Sequence, residues 1–184
     1  ISGELSRTAH RELKPHQKVA LENTHEYFKT ADRGKLIMAC GTGKTFNSLR
    51  IAEKETESER ENERENESFV LFLVPSIALL GQTLREWTSY AKEPINAICI
   101  CSDSEVSRKK TKNDDSDNFS VVHLALPAST NTKDIINQLN HIKARKASGM
   151  TVVFSTYQSI EVIALFSKSV ISLNNSFSCF FRFP

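Results

Sequence analysis

No run of eighteen apolar residues occurs in the chain, so no segment reads as a transmembrane helix. The first thirteen residues, ISGELSRTAHREL, lack the apolar core of a signal peptide. They also lack an initiator Met, and the sequence therefore reads as clipped or partial. Positive and negative charges nearly balance: 24 Lys and Arg stand against 22 Asp and Glu, a formal net charge of +2. A polyanion partner cannot be argued from so small an excess, and any nucleic-acid contact must come from local groups. The four cysteines, Cys40, Cys99, Cys101 and Cys179, lack zinc-finger spacing, and no disulfide framework is expected. A reducing, cytoplasmic setting fits this usage.

What is present is organised around residues 35–51, KLIMACGTGKTFNSLRI. The apolar run Leu36, Ile37, Met38, Ala39 predicts a strand. Gly41, Thr42, Gly43, Lys44 and Thr45 follow, and then a stretch able to continue as a helix. Strand, Gly-containing loop and helix N-terminus are the context of a phosphate-binding loop. Glycine lets the backbone wrap closely enough for its N–H groups to face a phosphate. The helix start adds donors and a favourable dipole. In that reading Lys44 reaches the β- and γ-phosphates of ATP, and the Thr45 hydroxyl holds Mg²⁺. Met38 stands where the general pattern has its first glycine. The bland alternative is a Gly-rich turn in a βα unit.

Upstream, residues 13–27 predict a helix with Pro15 in its first turn. Val19, Ala20, Tyr27 and Phe28 are its candidate inner face. Downstream, residues 53–67 read EKETESERENERENE, in which every odd position is Glu and EREN occurs twice in tandem. A run without apolar residues predicts a solvated helix extension or a disordered loop. Residues 69–74 form a continuous apolar run, as in a buried parallel strand. Residues 77–90 predict a helix with Leu80, Leu84 and Trp87 on one face, and residues 95–101 a strand. Residues 102–118 are polar and predict a surface loop, which includes the KKTK stretch at 109–112. Residues 119–124 predict a short strand. Residues 130–146 predict an amphipathic helix with Ile135, Ile136, Leu139 and Ile142 inward, stopped at Gly149. A strand at 151–154 and a helix at 157–166 follow. Alternating strands and helices predict an α/β domain, a parallel sheet with helices on both faces. The last stretch, residues 167–184, has no acidic residue, no clear period and four Phe. It finds no place in that pattern.

Three stretches narrow the class. They are Leu13-Lys14-Pro15-His16-Gln17, then VPSIALLGQ at residues 74–82, then VFSTYQS at residues 153–159. In this order and spacing the chain resembles the first RecA-like domain of a superfamily 2 helicase. It is most similar to the motor portion of restriction enzymes: type I and type III motor subunits and single-chain type ISP enzymes. The resemblance covers about residues 5–166 and implies an incomplete P-loop NTPase sheet. It implies that Gln17 reads the adenine edge, its amide offering both donor and acceptor. Gly41, Thr42, Gly43, Lys44 and Thr45 match the nucleotide motif. Pro75, Ser76 and Gln82 match a motif that touches one DNA strand, and Ser155 and Thr156 a later motif gripping the phosphate backbone. Such contacts position a strand without reading its sequence. For Gln17 the bland alternative is a surface helix residue, and for Ser155 and Thr156 a strand-to-helix cap.

The family's next motif is an apolar strand ending in Asp-Glu, and nothing after Phe166 supplies it. Asp114 and Asp115 sit in the polar loop. Asp103 follows an apolar run but precedes Ser155 and Thr156. The resemblance thus implies the front part of an ATP-dependent motor on duplex DNA, truncated before the Asp-Glu box and unable to hydrolyse ATP alone. The competing readings are a nucleotide-binding module that acts by itself and the remnant of a disrupted helicase gene, with an out-of-frame tail.

Overall fold

The computed structural model describes residues 11–61, 69–101, 129–145, 149–171 and 179–182. Its elements are α1 (Pro15–Phe28), α2 (Lys44–Glu61), β1 (Phe69–Val74), α3 (Ile77–Tyr90), β2 (Asn96–Ile100), α4 (Thr132–Ala144) and β3 (Thr151–Thr156). A 3-10 turn (Tyr157–Ser159), α5 (Ile160–Ile171) and β4 (Cys179–Arg182) complete them. The strands form one sheet in the order β2-β3-β1-β4, with every pair parallel.

The continuous apolar runs are explained by two covered faces. Successive side chains on a strand point to opposite faces. Val70, Phe72 and Val74 of β1 join Val152 and Phe154 of β3 and Cys99 of β2 in one core. α2 and α3 cover that face with Phe46, Leu49, Leu80, Leu84 and Trp87. Phe69, Leu71 and Leu73 point the other way, with Ile98, Ile100 and Val153, beneath Ile135 and Leu139 of α4 and Ile163 of α5. The α/β expectation therefore holds. Ser76 caps α3, its Oγ accepting from the Leu79 N–H at 3.3 Å. Gly149, at φ 90°, turns the chain into β3, where a Cβ would stand 1.9 Å from the Pro94 carbonyl oxygen.

Four expectations need correction. The run at residues 36–39 is not a strand: Leu36 is 45% and Ile37 89% exposed. The carbonyls of Met38 and Ala39 accept from Lys44 Nζ, and that of Ala39 also from Thr42 Oγ1, instead of from a neighbouring strand. Second, the inner face of α1 is not apolar. Val19 and Tyr27 are exposed, and the helix buries only Gln17, because it lies at the rim against α2. Third, the start of the acidic run is packed. Glu53 and Thr56 are buried in α2, where Glu53 pairs with Arg50 and accepts from the Lys92 N–H at 2.7 Å. Fourth, the last stretch does contribute: α5 continues to Ile171 and β4 pairs with β1. The expected loop at 102–118, the strand at 119–124 and the end of the acidic run at 62–67 lie outside the described residues, as do Asp103, Asp114 and Asp115.

Candidate nucleotide-binding site

The loop ahead of α2 turns on two glycines in the left-handed region, Gly41 at φ 75° and Gly43 at φ 81°. Side chains rarely adopt that conformation. Gly43 is constrained twice, since a Cβ there would stand 2.5 Å from Gln17 Nε2. Gln17 uses both ends of its buried amide. Its Oε1 accepts from the Lys14 N–H at 2.9 Å, which is half of a capping box for α1. Its Nε2 donates to the Thr42 carbonyl at 2.8 Å. His16 Nε2 lies 3.2 Å from the same carbonyl. Pro15 at the first position of α1 sets the helix so that these two side chains reach the loop.

Lys44 is half-buried, and its ammonium is folded back into the loop, 3.3 Å from the carbonyls of both Met38 and Ala39. Neutral carbonyls hold an ammonium weakly compared with a phosphate oxygen. The first N–H groups of α2 have no acceptor within the helix. An anion with several oxygens therefore fits here: it would take the place of the carbonyls at Lys44 and receive the helix donors. Thr45 stands half-buried in the first turn, where its hydroxyl can join a Mg²⁺ ion that accompanies such an anion. Among the described residues no group of three or more His, Cys, Asp or Glu comes together. Lys44, Thr45 and the first N–H groups of α2 fit a phosphate-bearing nucleotide.

Three neighbours carried no sequence signal for this site. Asn47 is fully buried in α2, with Nδ2 3.7 Å from Met38 Sδ and no partner for Oδ1. Arg11 lays its guanidinium 4.7 Å from the centre of the Phe46 ring and 5.5 Å from that of Tyr90. It also lies 3.7 Å from Glu86, whose carboxyl is pushed above its ordinary value by burial, with the Arg11 charge opposing. Trp87, the sole tryptophan, donates from Nε1 to the Thr45 carbonyl at 3.0 Å. The sequence marked it only as one apolar position of α3. Cys40 is exposed in the loop, whereas Cys99 is buried, its thiol pushed up to about 12 by desolvation.

The residues expected at nucleic acid fall into two groups. Pro75 and Gln82 are exposed and Ser76 is half-buried, at or near the start of α3. Ser155 and Thr156 are buried. Ser155 Oγ donates to the Ile100 carbonyl at 2.6 Å and so ties β3 to β2. The two groups are nonetheless neighbours, because Val74 stands opposite Thr156 in the parallel register. Both therefore leave the sheet at the carboxyl ends of adjacent strands, where open α/β sheets place their ligands.

Known proteins share this fold. Residues 10–180 match the family described as type III restriction enzyme, res subunit. That match runs past residue 166 into β4. One similar solved structure is a nuclease-deletion mutant of the type ISP restriction-modification enzyme LlaGI in complex with a DNA substrate mimic. It is 40% identical over 86% of this chain and 14% of its own, with a TM-score of 0.66. A second is the ATP-dependent type ISP restriction-modification enzyme LlaBIII bound to DNA. It is 36% identical over 88% of this chain and 10% of its own, with a TM-score of 0.71. The chain thus spans about a seventh or less of the length of these enzymes. No curated protein matches it. The chain belongs to the family of type III restriction enzyme res subunits, and its fold is the first RecA-like domain of a restriction-type superfamily 2 helicase.

Proposed function

We propose that this chain is the ATP-binding, DNA-contacting part of a restriction-type helicase or translocase, and that these 184 residues by themselves do not turn ATP over. The observation that carries the reading is the loop itself: two left-handed glycines, with Lys44 at the start of α2 folded back onto the main-chain carbonyls of Met38 and Ala39. Gln17, Gly41, Thr42, Gly43, Lys44 and Thr45 bind the nucleotide. The Gln17 amide exchanges its present main-chain partners for the adenine edge or holds the loop while the base binds beside it. Lys44 takes the phosphates, and Thr45 offers its hydroxyl to Mg²⁺. Bound Mg²⁺ supplies neutralisation of phosphate charge. Pro75, Ser76 and Gln82 meet one strand of duplex DNA. Ser155 and Thr156 serve the same surface, the first by fixing the end of β3 against β2.

Phosphoryl transfer in such motors also needs a metal-holding carboxylate, a group that positions water and an arginine finger, which alone is worth on the order of 10³ in rate. The sequence after Phe166 contains no Asp or Glu. Pairing of β4 with β1 favours one alternative, a nucleotide-binding module that acts by itself. Titration of a fluorescent ATP analogue in the presence of Mg²⁺ tests the reading. Binding is expected for the wild-type chain and lost in Lys44→Ala, with no DNA-stimulated phosphate release from either. Equal binding by both proteins sinks the nucleotide assignment. Phosphate release that depends on Lys44 sinks the second half and directs attention to Asp103.

A further inference from the structure

Trp87 is fully buried, and its indole touches the elements that carry the phosphate loop, the stretch at residues 74–82 and the stretch at residues 153–159. Its N–H donates to the carbonyl of Thr45, in the first turn of α2. Its ring meets Phe72 edge-on, centroids 4.8 Å apart, and Phe72 lies near the end of β1, which Pro75 and Ser76 follow. On the other side it meets Phe154, centroids 5.5 Å apart, and β3 runs from Phe154 directly into Ser155 and Thr156. Phe72 and Phe154 stand opposite each other in the sheet. Trp87 also rides on α3, the helix that Ser76 caps and that carries exposed Gln82.

We infer that Trp87 is a positioning residue that couples nucleotide occupancy at Lys44 and Thr45 to the nucleic-acid surface at the start of α3 and the end of β3. The inference rests on the function proposed above. A buried N–H left without its acceptor is costly, so a shift of the Thr45 backbone must draw the indole with it. The indole is close-packed between two rings, so it cannot move alone. Movement therefore passes to both strands and to α3. Reciprocally, a duplex held at Pro75, Ser76 and Gln82 biases Thr45, since coupling between two binding equilibria is symmetric.

The test measures affinity for a short fluorescein-labelled duplex without nucleotide and with saturating Mg²⁺ and a non-hydrolysable ATP analogue. For the wild-type chain the two affinities are expected to differ about fivefold or more. Trp87→Phe keeps one aromatic ring but loses the N–H with part of the indole, and its ratio is expected to fall to about one. Leu139→Ala, in the opposite core beneath α4, lowers stability without touching the indole and is expected to keep the wild-type ratio. A wild-type ratio retained by Trp87→Phe overturns the inference, as does equal loss in Leu139→Ala. If Trp87→Phe does not fold, the emission of the single tryptophan in the wild-type chain decides. Nucleotide must shift it and duplex must move the midpoint of that shift; unshifted emission with both ligands bound overturns the coupling. A wild-type chain that binds no nucleotide instead sinks the functional reading beneath it.

Discussion

The two sides of the phosphate loop differ in how they are held. On the sheet side, α2 is packed from Phe46 to Glu53, beside Trp87, Phe72 and Phe154. On the outer side, α1 and residues 35–40 are mostly exposed and are joined to the loop through polar contacts, with Gln17 the buried one. Both sides contain short apolar runs, Phe69–Val74 in β1 and Leu36, Ile37, Met38, Ala39 before the loop. Of these two runs, β1 alone has strands on both edges and helices on both faces. An apolar run becomes a buried strand when partners satisfy its backbone as well as its side chains. At Met38 and Ala39 the lysine and a threonine hydroxyl take that place.

Substitutions on the two sides should separate most widely in the core. Phe72→Ala is expected to lower unfolding free energy by roughly 3–5 kcal/mol, through lost burial and a residual cavity. Ile37→Ser, at a position 89% exposed, should change it by no more than about 0.5 kcal/mol. Urea denaturation of both variants checks the contrast. A large loss in Ile37→Ser would mean that the outer run is covered in solution.

A smaller contrast lies along α2 itself. Glu53→Ala leaves Arg50 buried without its carboxylate, although Arg50 still donates to the Tyr90 carbonyl at 3.0 Å and stacks on Phe46. Removing one partner of a buried pair costs about 3 kcal/mol or more. Glu57→Ala loses only the pair with Lys92, both side chains about half exposed, which is worth at most about 1 kcal/mol. Equal effects in thermal melts would show that the whole acidic run behaves as one solvated extension.

This pair also marks what was legible in the sequence. Period and apolar content placed α3, β1, β2, α4 and β3 nearly to the residue, because each buries an apolar face in a common core. The glycines and Lys44 were legible because backbone conformation and phosphate chemistry constrain residue type. Glu53 was not, since its burial depends on Arg50 and on the Lys92 N–H, 39 positions away. Nor was Trp87, whose apolar position conceals a bond to a main-chain carbonyl. Gln17 was legible only through family resemblance, since nothing in the pattern of α1 distinguishes it from its exposed neighbours.

Gln17 is the point at which the weakly held side can be loosened alone. Gln17→Ala removes two hydrogen bonds and leaves the Thr42 carbonyl with only His16 nearby among these contacts. A loss of about 1–3 kcal/mol in stability is expected, with a weaker nucleotide titration. Gln17→Glu keeps the acceptor for Lys14 but cannot donate to Thr42. It should therefore recover helix stability without recovering nucleotide affinity. Full recovery of both would show that capping α1, rather than holding the loop, is the role of this side chain.

The smallest effect is expected where the two sides meet, at Glu86 on α3 beside Arg11 ahead of α1. Burial raises the carboxyl above 4.5, and Arg11, 3.7 Å away, only partly opposes it. The folded chain therefore keeps this proton at a pH where the unfolded chain has released it. Stability from this group is fully present below the unfolded value and is lost as pH rises through the folded one. Glu86→Gln stays neutral throughout, so it should gain on the wild type as pH is raised from about 4 to 7, by a small margin because the group is partly exposed. Denaturation of both proteins across that range provides the measurement. A wild type that instead gains on Glu86→Gln with rising pH would show that Arg11 outweighs burial, and that the outer side is tied to α3 by charge as well as by the stack on Tyr90.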